Sequence, residues 1–297
     1  MQYSTLGKSD LKVSKISFGC MSLKGNAAEN EVLAGKALDA GINLFDTADL
    51  YEKGENEQKV GTLLKAHRKN IVIATKVGNQ HRADGNGWDW NPSKAYILSA
   101  VEESLRRLQT DYIDLYQLHG GMIEDPMDET IEAFELLKEQ GKIRYYGISS
   151  IRPNVIREYV KRSNIVSVMM QYSLLDRRPE EECLPLLAEN NIGVLSRGSV
   201  AQGLLVNKPA KPYLNWTIEE IEYAAAVVER VAGQSVGSAA TAIRFVLQQQ
   251  AVKSAVVGIR TLAQLEDSIN AVDLPLLSVE DLTILKALPL NFYKEHR

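Results

Sequence analysis

Cysteine and histidine are scarce in this 297-residue chain: two of the first, Cys20 and Cys183, and four of the second, His67, His81, His119 and His296. Two distant cysteines make neither a disulfide framework nor a CxxC metal spacing, which fits a reducing compartment. The histidines form no HExxH pair, so a metal site is not expected. Positive charge is not in excess either. With 34 Lys and Arg against 38 Asp and Glu, the net charge is −4 and no block of one sign stands out. This excludes a nucleic-acid binder resting on a basic footprint and gives no reason to expect an anionic membrane partner. Long apolar runs are missing: Met1 to Lys8 does not read as a signal peptide, and no stretch is long enough to span a bilayer. A cytoplasmic location is the expectation. No linker rich in Pro, Gly or Ser divides the chain, so residues 1–297 read as one domain.

What the chain does contain is alternation. Apolar, β-branched runs recur at Ile16–Phe18, Ile42–Phe45, Ile71–Ala74, Tyr112–Leu118, Ile143–Ile148, Ile165–Met170, Ile192–Leu195 and Ser254–Val257, eight candidate strands in all. Helical spacing fills most of the intervals, as in Ile97, Leu98, Val101, Leu105 and Leu108. Gly41 and Gly141 fall where a left-handed helix C-cap meets a strand, and Pro92-Ser93 and Arg152-Pro153 suit helix starts. Eight βα units predict an α/β fold, a (β/α)8 TIM barrel. A doubly wound open sheet fits less well, because Gly85 and Gly87 lack the third glycine of GxGxxG and follow no strand directly. Turn chemistry at Gly7 to Asp10 predicts an N-terminal β-hairpin that closes the bottom of the barrel. Residues 77–92 and 198–217 read as long loops after strands, where a barrel builds its pocket.

Polar residues stand directly after consecutive strands: Asp46, Lys76, His119, and Ser149 with Ser150. Taken singly, each has an ordinary reading as a helix cap, a solvated lysine or a core histidine. Converging on one rim, they favour a site. Tyr51 lies five positions after Asp46. An ammonium beside a phenol favours release of the phenolic proton, and Asp46 would hold Lys76 charged. Tyr51 then reads as a general acid for an oxyanion, the chemistry of hydride delivery to a carbonyl without a metal.

Asp46-Thr47-Ala48-Asp49-Leu50-Tyr51-Glu52, then Ala74-Thr75-Lys76, then Asp111 through His119, resemble the aldo-keto reductase superfamily in its bacterial and potassium-channel β-subunit-like branch. The resemblance runs over nearly the whole chain. It implies NAD(P)H bound without a Rossmann fold and the tetrad Asp46, Tyr51, Lys76 and His119. It also implies nicotinamide contacts from Ser149 and Gln171, with Ser150 in place of the usual Asn. Where the family carries a stacking aromatic, this chain has Ser196-Arg197, so a guanidinium stands near the nicotinamide and would disfavour its oxidised, positive form. Phosphate is expected after strands seven and eight, at Gly203, Leu205 and Gly258. Arg260 and Thr261 would meet a 2′-phosphate, which points to NADPH (NADP+). Gln264 follows, and Asp267-Ser268 replace the family's Glu-Asn near the adenine.

Trp88 and Trp90 read either as a lid over substrate or as a packing patch, and Met21 as a residue lining the hydride site. Tyr213 and Trp216 are candidates to clasp a cofactor, which the sequence leaves open, and Asp114 reads as a structural carboxylate. The expected function is NADPH-dependent reduction of a small-molecule aldehyde or ketone. Two alternatives stand beside it: a slow or non-catalytic NADPH-binding redox sensor for a channel-like partner, and a Schiff-base lyase using Lys76.

Overall fold

In the computed structural model, which describes residues 1–206 and 208–297, two short strands open the chain. They are β1 (Tyr3–Thr5) and β2 (Lys12–Ser14), paired antiparallel with Tyr3 opposite Ser14. β3 (Ile16–Gly19), β4 (Leu44–Asp46) and β5 (Val72–Val77) follow. A second antiparallel pair comes next, β6 (Asn79–His81) with β7 (Trp88–Trp90). Then come β8 (Ile113–Leu118), β9 (Ile143–Ser149), β10 (Ser167–Gln171), β11 (Gly193–Arg197) and β12 (Val252–Val257). Apart from the two hairpins, these strands close into one parallel barrel of eight in the order β3-β4-β5-β8-β9-β10-β11-β12, with β12 pairing back to β3.

Helices separate the barrel strands: α1 (Ala27–Asp39), α2 (Glu55–Leu64), α3 (Lys94–Leu108), α4 (Met127–Glu139) and α5 (Pro153–Arg162). α6 (Cys183–Glu189), α7 (Ile218–Val236), α8 (Ser238–Leu247), α9 (Leu262–Asp273) and α10 (Val279–Lys286) complete the set. Among the described residues, no helix is long and apolar enough to cross a membrane.

Strand side chains alternate between two apolar layers. Leu44, Ala74, Leu115, Met169 and Leu195 fill the barrel interior, whereas Phe45, Ile73, Tyr116, Val168 and Val194 pack under the helices. The first hairpin plugs the bottom of the interior: Leu6, Leu11 and Val13 are buried in the same cluster as those lumen residues. Gly7 lets it sit that close. A Cβ there would lie 2.2 Å from the Val166 carbonyl oxygen, and its φ of +56° suits glycine.

Several expectations shift. The strand predicted at Ile42–Phe45 starts two residues later, because Ile42 N–H bonds Ala37 O at 3.0 Å and so finishes α1. Asn43 is tied to the hairpin instead, donating to Lys12 O at 2.7 Å. The predicted loop 77–92 is largely the β6–β7 hairpin; its Gly- and Asn-rich tip hides the strands, which Arg82 clasps through Asp89 at 2.7 Å. In 198–217, a 3-10 turn at Ala201–Gly203 and a Tyr213–Trp216 bridge give local order.

Candidate active site

The same alternation builds the top rim. Two residues on from lumen residues Leu44, Ala74, Met169 and Leu195 stand Asp46, Lys76, Gln171 and Arg197, and from Leu115 the same face runs through Gln117 to His119. Ser149 ends β9 and shares the lumen phase of Tyr145. Residues distant in sequence thus meet at the C-terminal ends of parallel strands.

Lys76 is almost wholly buried and fully engaged. Its Nζ donates to both Asp46 carboxylate oxygens at 2.8 Å and to Thr47 O at 2.6 Å. Burial works against its charge, yet Asp46 and Tyr51 beside it hold its pKa above the usual lysine value. Tyr51 lies over this pair, with the ammonium 5.1 Å from its ring centroid. Its ring meets that of His119 edge-on, centroids 5.9 Å apart. The backbone after Tyr51 is strained, with Glu52 and Lys53 at φ of 52° and 55°, and Lys59 pins Glu52 at 2.7 Å. His119 is pushed down to about 3, first by burial and then by the positive charges of Lys76 and Arg197, so it is neutral at ordinary pH. Its Nδ1 is buried without a partner.

These groups open on a cavity of about 600 Å³. Met21, Trp88, Trp90, Ser149, Ser150 and Arg197 line it as well. Trp88 is half exposed, whereas Trp90 is anchored by its indole N–H to Asp125 at 2.9 Å. Gln171 stands beside Arg197, accepting from its guanidinium at 3.1 Å, and donates to Asp176 at 2.8 Å. A second cavity of about 580 Å³ lies at the N-terminus of α9, lined by Ser22, Lys24, Arg260 and Thr261. Thr261 caps α9 by accepting from Gln264 N–H at 3.2 Å, and the Gln264 side chain accepts from Arg260 N–H at 2.9 Å.

Several expected cofactor residues do not present their side chains there. Ser196 is out of phase with the lumen and sits 3.4 Å from the Ser199 hydroxyl, wholly buried. Leu205 is buried among core residues, and Ser268 donates back to Gln264 O at 2.7 Å. Gly203 ends the 3-10 turn against Lys208, Gly258 lies near Ser22, and Asp267 is exposed on α9. Trp216 is a packing residue, buried with its indole bonded to Leu175 O at 2.8 Å.

Several cavity residues escape the sequence reading, among them Asn79, Met122, Arg152, Met169 and His296. Arg152 left a trace, a cation two positions past Ser150. His296 left none, because nothing in the sequence ties it to a rim built between residues 46 and 197.

The Aldo/keto reductase family model matches residues 15–289. The chain belongs to the aldo/keto reductase family. It is 49% identical to the "Uncharacterized oxidoreductase YqkF" of Bacillus subtilis over the full length of both chains. It is 33% identical to the "NADH-specific methylglyoxal reductase" of Escherichia coli over 72% of each chain. Among solved structures, the holo form of aldo-keto reductase AKR11C1 from Bacillus halodurans superposes with a TM-score of 0.94. That match has 49% identity and covers 100% of this chain and 99% of that one. Family membership makes this aldo/keto reductase an NAD(P)H-dependent oxidoreductase.

Proposed function

We propose that this aldo/keto reductase uses NADPH to reduce aldehydes and ketones to alcohols, with Tyr51 as the general acid. The observation that carries the reading is Tyr51 set over a buried, charge-holding Lys76–Asp46 pair and edge-on to a neutral His119. A reduced nicotinamide held at this rim would supply the hydride that the carbonyl carbon accepts. The Tyr51 hydroxyl gives its proton to the carbonyl oxygen, and Lys76 offsets the negative charge left on the phenol. Asp46 keeps Lys76 in place. His119, being neutral, orients the carbonyl and leaves the proton transfer to Tyr51.

The donor set fits the cofactor. Ser149 and Ser150 offer hydroxyls for a carboxamide, with Gln171 held beside them between Arg197 and Asp176, and Arg260 and Thr261 offer a cation and a helix N-terminus for phosphate. Arg260 beside that helix N-terminus favours NADPH over NADH. Arg197 takes the place of a stacking aromatic and disfavours the positively charged oxidised ring, which favours reduction and rapid cofactor release.

The Schiff-base reading loses support because the Lys76 ammonium is charged, buried and hydrogen-bonded three times over. No observation favours the redox-sensor reading over turnover.

The test is NADPH consumption with an activated aromatic aldehyde by wild type and Tyr51→Phe. Turnover that collapses in the variant while NADPH binding persists supports the mechanism. Equal rates refute it, and tight NADPH binding without turnover in the wild type moves the assignment to a sensor.

A further inference from the structure

We infer that the substrate end of the cavity is an anion subsite, and that the favoured carbonyl compounds carry a carboxylate that Arg152 binds. This rests on the reductase reading and names its substrate class. Arg152 precedes α5 and turns toward the loop after β8, where its guanidinium donates to Gly121 O. Its backbone N–H bonds the Ser150 hydroxyl at 3.2 Å, so the residue is fixed at both ends. Among the described residues, no carboxylate comes within ion-pairing distance of it. Its sequence neighbours differ: Arg144 holds Asp114 at 2.9 Å and Arg157 holds Glu182 at 2.7 Å.

The surroundings point the same way. Arg152 and Arg197 both line the cavity, and no Asp or Glu does. Asp46 lies behind Lys76 and is spent on it. On the neighbouring loop, Asp125 uses one oxygen on Trp90 at 2.9 Å and the other on the Met122 N–H at 2.6 Å. In a chain of net charge −4, a wall with free guanidinium donors and no acid is a local inversion of sign. A guanidinium presents a planar fork that matches a carboxylate. Trp88, Trp90 and Met21 supply apolar surface for the methylenes between the two ends of such a substrate. Because the nicotinamide shares the same 600 Å³, the substrate is compact. The reaction is balanced as before: hydride to the aldehyde carbon, the Tyr51 proton to its oxygen, and an ω-hydroxy acid as product with its carboxylate unchanged.

The probes are 4-oxobutanoate and butanal, equal in chain length and differing by the charged end, tried on wild type, Arg152→Met and Arg152→Lys. The wild type should prefer 4-oxobutanoate by about 10- to 100-fold in kcat/KM, the range expected of a hydrogen bond to a charged group. Arg152→Met should bring that ratio close to one, chiefly through KM for the acid, and Arg152→Lys should restore part of it. A wild-type ratio near one, or a ratio that Arg152→Met leaves unchanged, overturns the subsite. If neither aldehyde turns over in the wild type, the reductase reading fails, and calorimetry of 4-oxobutanoate binding to the NADPH-loaded proteins decides the subsite on its own. Binding weakened at least tenfold by Arg152→Met upholds it, and equal binding ends it.

Discussion

The two ends of the barrel use similar ingredients to opposite effect. At the bottom, the Asp114 carboxylate is buried and both its oxygens are used: one accepts from Ile73 N–H at 3.0 Å and from Arg68, the other from Arg144 at 2.9 Å. Apolar side chains of the first hairpin seal that end. At the top, another buried carboxylate meets another cation, but polar atoms around it go unpaired. His119 Nδ1, both amide atoms of Gln117 and Asp49 Oδ1 are buried without partners. Unpaired buried polar groups are costly, and proteins keep them where something else must bind or react. The buried carboxylate at the bottom is fully paired, whereas polar atoms beside the one at the top are left open.

Substitutions can break this contrast. The largest expected effect is on turnover at the top: Lys76→Met should lower kcat by about 10²–10⁴, the range of a lost acid–base function, in a steady-state NADPH assay. At the bottom, Asp114→Ala strands two arginines and should cost about 3 kcal/mol in urea unfolding, while turnover per folded molecule stays at the wild-type level.

A smaller effect comes from Asp49, beside the tetrad, whose carboxyl is raised from 3.8 to about 8, mainly by burial and then by Glu57. Between those values the folded state binds more protons than the unfolded one, so this group's stabilising contribution is present in acid and is lost as pH rises toward 8. Asp49→Asn cannot ionise. Its melting temperature relative to wild type should climb by several degrees between pH 4 and pH 8, and a constant difference would contradict the assignment. The smallest effect expected is for Arg197→Met, which should tighten NADP+ relative to NADPH by a few-fold in fluorescence titrations.

Much of this contrast is legible in the sequence. The period-two strands and the polar residue after each one give the barrel, its rim, and Asp46, Lys76 and His119, because strand alternation is a local property. The bottom plug is also legible, since Gly7 to Asp10 carry the turn between two short strands. The β6–β7 hairpin is not: its strands are three residues each, and Arg82–Asp89 pairing replaces an apolar pattern. Ser196 shows a different limit. The family resemblance puts it beside the cofactor, but one residue of phase turns its side chain away from the lumen. His296 reaches the cavity through tertiary folding alone.

The most direct test sets Tyr51→Phe beside Asp114→Asn and measures aldehyde turnover per folded molecule and the urea midpoint of each. Tyr51→Phe should lose about 10²–10⁴ in kcat with its midpoint unmoved, and Asp114→Asn should lower the midpoint with turnover preserved. A Tyr51→Phe enzyme that turns over at the wild-type rate would contradict the account.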